Sequence, residues 1–243
     1  MNSSTTTNRT ALITGASSGI GKATALAFAK AGINLVLIGR DQDKLTAVAQ
    51  AAEAVGVTAK TYVVDLSILD RVSAKIAEIA AAHQDLDILI NNAGMAYTGS
   101  IADSPLADWQ KVIDLNLTSV FLCVQGILPH LRQRKSGVIV NVSSIAGKQV
   151  FPNWGIYSVS KFGLMALTQA IAGEERANGI RVTAVCPGSV NTPLWDTDTV
   201  QADFDRSAML TPEMVAEGIL YAVLAPAGAV VEELTIMPSG GAL

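Results

Sequence analysis

The sequence predicts an α/β fold, a single doubly wound parallel sheet of about seven strands with helices on both faces. Three observations point there. Short runs rich in Val, Ile and Leu alternate with longer Ala-rich runs along the whole chain. Several short runs are almost continuously apolar, as strands buried on both faces must be. The regular alternation of the two implies right-handed βαβ crossovers into one sheet.

In chain order the candidate strands are TALIT at 10–14, NLVLIG at 34–39, TYVVD at 61–65, DILIN at 87–91, GVIVNV at 137–142, IRVTAV at 180–185 and VEELTIM at 231–237. Between them lie helical segments of roughly 12–22 residues, punctuated by Gly or Pro at their ends. Gly32, Gly56 and Gly179 each fall where a helix must stop before the next strand, the place for a C-terminal glycine cap. Residues 9–243 contain no linker, low-complexity tract or internal repeat and are expected to form one domain, preceded by a flexible segment at 1–8. Two stretches break the rhythm, about 94–110 and about 188–211. Both follow strands, and loops at the carboxyl ends of strands build the ligand site in open α/β sheets. The second is expected to be a substrate lobe inserted into the domain.

The composition narrows the function classes. With 50% hydrophobic residues the chain can fill a sizeable core, while its charged fraction of 16% falls below the roughly 25% of typical domains. So little charge suggests that another subunit covers part of the surface. A formal net charge of -4 argues against a nucleic-acid or anionic-membrane partner, and RQRK at 132–135 reads as a solvated helix end. Cys123 and Cys186 sit in apolar stretches, and His83 and His130 lack acids or thiols at ligand spacing, so neither a disulfide nor a metal site is expected. No apolar signal segment opens the chain and no uninterrupted apolar run reaches the roughly 18 residues of a membrane span. A cytoplasmic location is expected.

The first strand runs straight into TGASSGIG at 14–21 and then a helix. Gly15, Gly19 and Gly21 permit a tight turn and close approach of the backbone to a pyrophosphate at the helix N-terminus. The spacing is G-x-x-x-G-x-G, not the usual G-x-G-x-x-G fingerprint, but its place between the first strand and first helix of a βαβ series predicts a dinucleotide. The second strand ends IGRD at 38–41. A carboxylate at this strand end would bind the adenosine ribose of NAD. Here Gly39 holds that place and Arg40 follows, a guanidinium able to pair with the 2′-phosphate of NADP. Asp41 either caps the next helix or takes the acid's part, so NADP(H) is preferred and NAD(H) is the alternative. Further on, YSVSK at 157–161 puts Tyr157 and Lys161 one helical turn apart on one face. An ammonium close to a phenol would lower its pKa from about 10 by about 1–3 units.

In this order TGASSGIG at 14–21, NNAG at 91–94, Ser144, YSVSK at 157–161 and PGSVNT at 187–192 resemble the short-chain dehydrogenase/reductase family over nearly the whole chain. The resemblance implies a Rossmann-type fold and hydride transfer between a nicotinamide and a carbonyl carbon, interconverting a ketone or 3-oxo compound and its secondary alcohol. It implies Tyr157 as general acid/base, Lys161 as its supporting cation and a ligand of the nicotinamide ribose, and Ser144 as the group that orients the carbonyl. It also implies that Asn116, in DLNLTSVF at 114–121, holds a water in the proton relay. Read from the residues alone, Asn116 is equally a helix-kinking residue with a satisfied side chain, and Ser143 stands beside Ser144. For the cofactor, the resemblance implies Gly15, Ser17, Ser18, Gly19, Ile20 and Gly21 around the phosphates and ribose, with Asp65 and Leu66 at the adenine. Asn92, Ala93 and Gly94 would line the cofactor, and Pro187, Gly188, Val190 and Thr192 would hold the carboxamide. Family members commonly pair through the helix that begins at Tyr157, implying a homotetramer, with a homodimer as the alternative.

The expected substrate walls are Ala146 to Trp154, Tyr97, and Leu194 to Met209, offering Val150, Phe151, Trp154, Leu194, Trp195, Phe204 and Met209, with Lys148 as the main charge. Such an apolar cleft with few polar anchors suits a ketone or 3-oxo compound better than a sugar phosphate. Relatives that reduce 3-oxoacyl carrier-protein thioesters usually end the last strand in a V-D-G-G-like turn, and LTIMPSGGAL at 234–243 departs from it. A 3-oxoacyl thioester reductase and an NAD-dependent alcohol dehydrogenase remain alternatives. A non-catalytic dinucleotide-binding regulator is disfavoured, because Asn116, Ser144, Tyr157 and Lys161 are all of the reactive types.

Overall fold

In the computed structural model, which describes residues 9–202 and 205–241, all seven apolar runs become strands. They are β1 (Thr10–Thr14), β2 (Asn34–Gly39), β3 (Ala59–Val63), β4 (Leu86–Asn91), β5 (Gly137–Val142), β6 (Ile180–Pro187) and β7 (Glu233–Ile236). The helices are α1 (Gly19–Lys30), α2 (Gln42–Glu53), α3 (Leu69–Ala82), α4 (Leu106–Ile113), α5 (Ser119–Arg134), α6 (Gly155–Glu175) and α7 (Pro212–Val223). The expected N-terminal segment at 1–8 and Phe204 lie outside the described residues.

The strands form one parallel sheet in the order β3-β2-β1-β4-β5-β6-β7. The chain reverses its direction of winding between β1 and β4, so the loops leaving those two strands diverge and open a crevice at the carboxyl edge. Each sheet face is covered by its own helices. Phe28 of α1, Leu45 of α2 and Val215 of α7 pack with Ile13 and Val140 on one side. Ile76 of α3, Ile127 of α5 and Ile171 of α6 pack with Leu12 and Ile139 on the other.

The expected boundary of β3 shifts by two residues. Its pairing with β2 ends at Gly39↔Val63 because β2 itself ends there. Asp65 therefore lies in the turn that follows, where its carboxylate accepts hydrogen bonds from the Ser67 backbone N–H at 2.9 Å and its hydroxyl at 2.7 Å. Between α4 and α5 a π-helical turn, Asp114–Thr118, joins the two into one helical run. The run Leu106–Arg134 is long and apolar enough to cross a membrane by length and composition. Cys123, Val124, Ile127 and Leu131 on its inner face belong to the core beside the sheet.

Candidate active site

The glycine loop is held by the turn after β4. Asn92 donates from Nδ2 to the carbonyls of Thr14 (3.0 Å) and Gly15 (3.3 Å), while the Thr14 hydroxyl oxygen accepts from the backbone N–H groups of Asn92 and Ala93. Gly15 has φ +65°, and a Cβ on it would stand 3.0 Å from the Ala93 Cα. Only glycine fits there without strain. At Gly21 the limit is steric: a Cβ would come 2.2 Å from the Gly15 carbonyl oxygen. Ser18 precedes α1 in extended conformation without a side-chain cap, and no acid occupies the first helical turn. The helix therefore presents unneutralised N–H donors and the positive end of its dipole to the cleft.

At the end of β2, Gly39 packs 3.3 Å (Cβ-equivalent) from Leu45 Cδ2. Asp41 is the N-cap of α2, accepting from the Lys44 backbone N–H at 3.0 Å and meeting the Lys44 ammonium at 3.1 Å. Those bonds hold its carboxyl below the usual carboxylate range. Asp41 is thus committed to the cap and does not take the ribose-binding acid's part. Arg40 is exposed, and among the described residues its side chain makes no hydrogen bond or ion pair. Asp65 stands near enough for the guanidinium to help the two Ser67 hydrogen bonds lower its carboxyl.

The other end of the cleft lies where β5 meets α6. Ser144 caps a short 3-10 turn (Ile145–Gly147), its Oγ accepting from the Ala146 N–H at 3.0 Å, and its hydroxyl lies near enough to the Tyr157 phenol to favour the ionised form. Ser143 turns away, donating to the Lys161 carbonyl at 3.3 Å. The backbone trajectory after β5 thus separates the two adjacent serines. Lys161 donates from Nζ to the Val142 carbonyl at 3.0 Å and lies 5.7 Å from the Tyr157 ring centroid.

The expected depression of the Tyr157 pKa is not found. Burial pushes the phenol up to about 12 against the smaller opposing effect of Ser144, and burial pushes the Lys161 ammonium down to about 8. Lys161 is spent on a strand carbonyl instead of the phenol oxygen, so desolvation wins for both groups. The Tyr157 phenol therefore keeps its proton across the neutral range.

Asn116 sits in the π-helical turn, buried, with both Nδ2 hydrogens and its Oδ1 engaged. It donates from Nδ2 to the Met95 carbonyl (2.8 Å) and to Ser160 Oγ (3.0 Å), and its Oδ1 accepts from the Met95 N–H (2.8 Å). Ser160 Oγ in turn donates to the Tyr157 carbonyl at 2.7 Å. The side chain ties the loop after β4 to the N-terminal part of α6. A π turn inserted in a long helix often marks such a working position.

These residues line one cleft of about 1010 Å³ that runs along the carboxyl edge of the sheet. Its wall contains Gly15, Ser17, Ser18, Gly19, Ile20, Arg40, Asp65, Leu66, Asn92, Ala93, Gly94, Ser144, Tyr157, Lys161, Pro187, Gly188, Val190 and Thr192. Gly21 and Asn116 do not reach the wall; both lie behind it and shape it. Of the expected substrate walls, Phe151, Trp154, Leu194 and Trp195 line the cleft. Tyr97 is instead packed with Val112 and Ile156, Val150 borders a separate shallow hollow, and Met209 is buried outside the cleft wall. Lys148 points to Glu233 and Thr235 of β7 and is no part of the wall. Sequence reasoning did not name Lys44 or Met95, which stand in the wall, while Asp198 falls within the expected stretch Leu194 to Met209. Only Lys44 had a readable signal, the D-x-x-K spacing that folds a helix-N3 lysine back onto its cap at the end of β2.

The lobe after β6 is tied down from two sides. Arg206 donates to the Thr192 carbonyl (2.9 Å), Asn191 Oδ1 (2.9 Å) and Asp196 Oδ1 (2.5 Å). On the opposite side the Thr98 N–H donates to the Thr199 carbonyl at 2.9 Å, and the Gln201 N–H to the Thr98 hydroxyl at 2.7 Å.

This geometry coincides with a known family. The sequence model of the short chain dehydrogenases matches residues 9–202. The chain belongs to the short-chain dehydrogenase family. It is 33% identical over 232 residues to an oxidoreductase of Staphylococcus saprophyticus, covering 95% of this chain and 97% of that one. It is 35% identical over 242 residues to a 3-oxoacyl-[acyl-carrier-protein] reductase of Synechocystis, covering 97% of each. The fold superposes on an alcohol dehydrogenase of the archaeon Thermococcus sibiricus, complexed with 5-hydroxy-NADP, with TM-score 0.87 at 26% identity over 96% of this chain and 97% of that one. As a member of this family the chain is an oxidoreductase of the CH–OH/C=O class that uses NAD(P).

Proposed function

We propose that this short-chain dehydrogenase is an NADP(H)-dependent reductase that interconverts a ketone or 3-oxo compound and the secondary alcohol, with Tyr157 as general acid/base. The observation that carries the reading is that Ser144, Tyr157 and Lys161 share one end of a single long cleft that has Arg40, without a hydrogen bond or ion pair among the described residues, in the same wall. The chain's residues fit the dinucleotide. The uncapped N-terminus of α1 suits a pyrophosphate, and the glycine cradle leaves room for one only while residues 15 and 21 lack a Cβ. NADP(H) is favoured over NAD(H) because Asp41 is spent on its cap while Arg40 and Lys44 both face the cleft, and the Thermococcus structure holds an NADP derivative.

When bound, the nicotinamide supplies or takes up the hydride. The protein's own part is to hold and move a proton. The Ser144 hydroxyl and the Tyr157 phenol converge on the place of a substrate carbonyl oxygen, so both can donate to it as negative charge develops there. Tyr157 then gives up its proton, and in the reverse direction it must recover one from the alcohol. Lys161 is the nearest cation to that phenolate. Asn116 acts as a positioning residue, since its three bonds hold Met95 and the first turn of α6 in register.

The cofactor part of this reading is tested by Arg40→Asp. The charge-assisted bonds of a guanidinium to a phosphate contribute about 1.5–3 kcal/mol, so the KM for NADPH is expected to rise about 10- to 100-fold while that for NADH changes little. Equal shifts for the two cofactors in a ketone-dependent oxidation assay would remove the NADP assignment.

We also propose a homotetramer. Phe121 on α5 and Val159 and Phe162 on α6 are 47%, 46% and 41% exposed, an apolar outer face on neighbouring helices. Light scattering is expected to return four times the chain mass, or twice if only this face is used. A mass of one chain would end the proposal.

A further inference from the structure

Resting on the reductase reading above, we infer that the substrate end of the cleft takes an electrically neutral ketone bearing a flat or ring-shaped group, and rejects carbonyl compounds that carry a carboxylate or phosphate. The walls make the first half of the case. Trp154 stands edge-to-face with the Tyr157 ring, centroids 5.6 Å apart at 70°, and with Trp195, 5.7 Å apart at 67°. Trp195 is pinned by its indole N–H, which donates to the Val190 carbonyl at 2.8 Å. The three rings form a continuous row that begins at the proton donor itself. Rigid aromatic surfaces gain most from a ligand ring packed against them, and lose least entropy in doing so.

The charges make the second half. Among the described residues the cations in the cleft wall are Arg40 and Lys44, both at the adenine end, and Lys161. Lys161 is bonded to the Val142 carbonyl beneath the phenol. Lys148, the cation that the sequence placed here, is turned outward to Glu233 and Thr235. Arg206 in the lobe is held by Asn191, the Asp196 carboxylate and the Thr192 carbonyl. Among the described residues, the wall's one acid outside the adenine end is Asp198, on the lobe. An anionic substituent would therefore leave water for aromatic walls without a partner, and would meet a carboxylate at the rim.

The test compares para-acetylbenzoate with its methyl ester, and acetophenone with an open-chain methyl ketone of the same carbon number, using the full chain and NADPH. The ester is expected to exceed the acid by about 100-fold or more in kcat/KM, since an unpaired buried charge is strongly disfavoured. Acetophenone is expected to exceed the open-chain ketone by about tenfold, through KM, and Trp195→Ala to abolish that ratio while Trp195→Phe keeps it. Lys148→Ala is expected to leave the acid-to-ester ratio unchanged. Comparable turnover of acid and ester, an acid activity that depends on Lys148, or an aryl preference that survives Trp195→Ala would each overturn the inference. Quenching of tryptophan fluorescence by the same compounds reads the preference without turnover. An absence of any NADPH oxidation, with the ester still quenching and the acid not, would sink the reductase reading and leave this one standing.

Discussion

Replacing Tyr157 by phenylalanine is expected to lower kcat for carbonyl reduction by about 10²–10⁴-fold, the usual contribution of a positioned general acid. The affinity for NADPH should stay within about threefold by fluorescence titration, because the substitution removes one hydroxyl and no part of the glycine cradle. The ring would keep its contact with Trp154, and only the hydroxyl beside Ser144 would be lost. A variant that retains activity within about tenfold of the parent would refute the role. The pH dependence follows from the same site. With the phenol pushed up to about 12, the proton donor is intact throughout the neutral range. The Lys161 ammonium, pushed down to about 8, loses its charge as pH rises through that value, and with it the nearest support for a developing phenolate. Reduction measured as kcat/KM is therefore expected to be flat below about pH 8 and to decline above it, since that parameter reports groups of the free enzyme. A profile that climbs through pH 8 would contradict the assignment.

Substituting Gly21 by alanine is expected to be the most damaging single methyl group that can be added to this chain's cofactor loop. The new Cβ would lie 2.2 Å from the Gly15 carbonyl oxygen and 2.5 Å from Asn92 Nδ2, and the first of these is backbone that cannot rotate away. Overpacking of this kind costs about 1–3 kcal/mol, and for a chain of this size the melting temperature falls by roughly 2–4 °C per kcal/mol. Displacing Gly15 also breaks the Asn92 bonds that hold the loop against β4, so cofactor affinity should fall by about 100-fold. Gly228→Ala makes the control: a Cβ there meets nothing within 4 Å, and neither melting nor cofactor binding should change. Normal NADPH affinity in Gly21→Ala would show that the loop does not need this close approach.

How much of the molecule was readable in advance depends on the range of the force that places each group. The seven strands were visible because strands buried on both faces must be apolar without interruption, and that is a local property of the chain. The helix ends at Gly32, Gly56 and Gly179 were visible because a left-handed residue is needed there, and each glycine has positive φ. Tyr157 and Lys161 reach the same cleft because helical pitch alone puts them on one face. The π turn at Asn116 left no such mark. Its placement depends on Met95 and Ser160, which reach it only after α4 and α6 have docked.

Residue types, their order and their local spacing thus determined the fold class, the glycine loop and the group of reactive side chains. Tertiary structure alone decided where the long polar side chains point. It turned Lys148 toward Glu233, 85 residues further along the chain, and so removed the cation that the sequence had lent to the substrate end. It spent Asp41 on a helix cap and left Arg40 without a hydrogen bond or ion pair among the described residues, and it spent Lys161 on the Val142 carbonyl, so that burial raised the Tyr157 pKa instead of charge lowering it. The physical reason is common to these cases. A lysine, arginine or aspartate can satisfy its charge in several ways at similar free energy, and the choice falls to whichever partner the packed elements bring within about 3 Å.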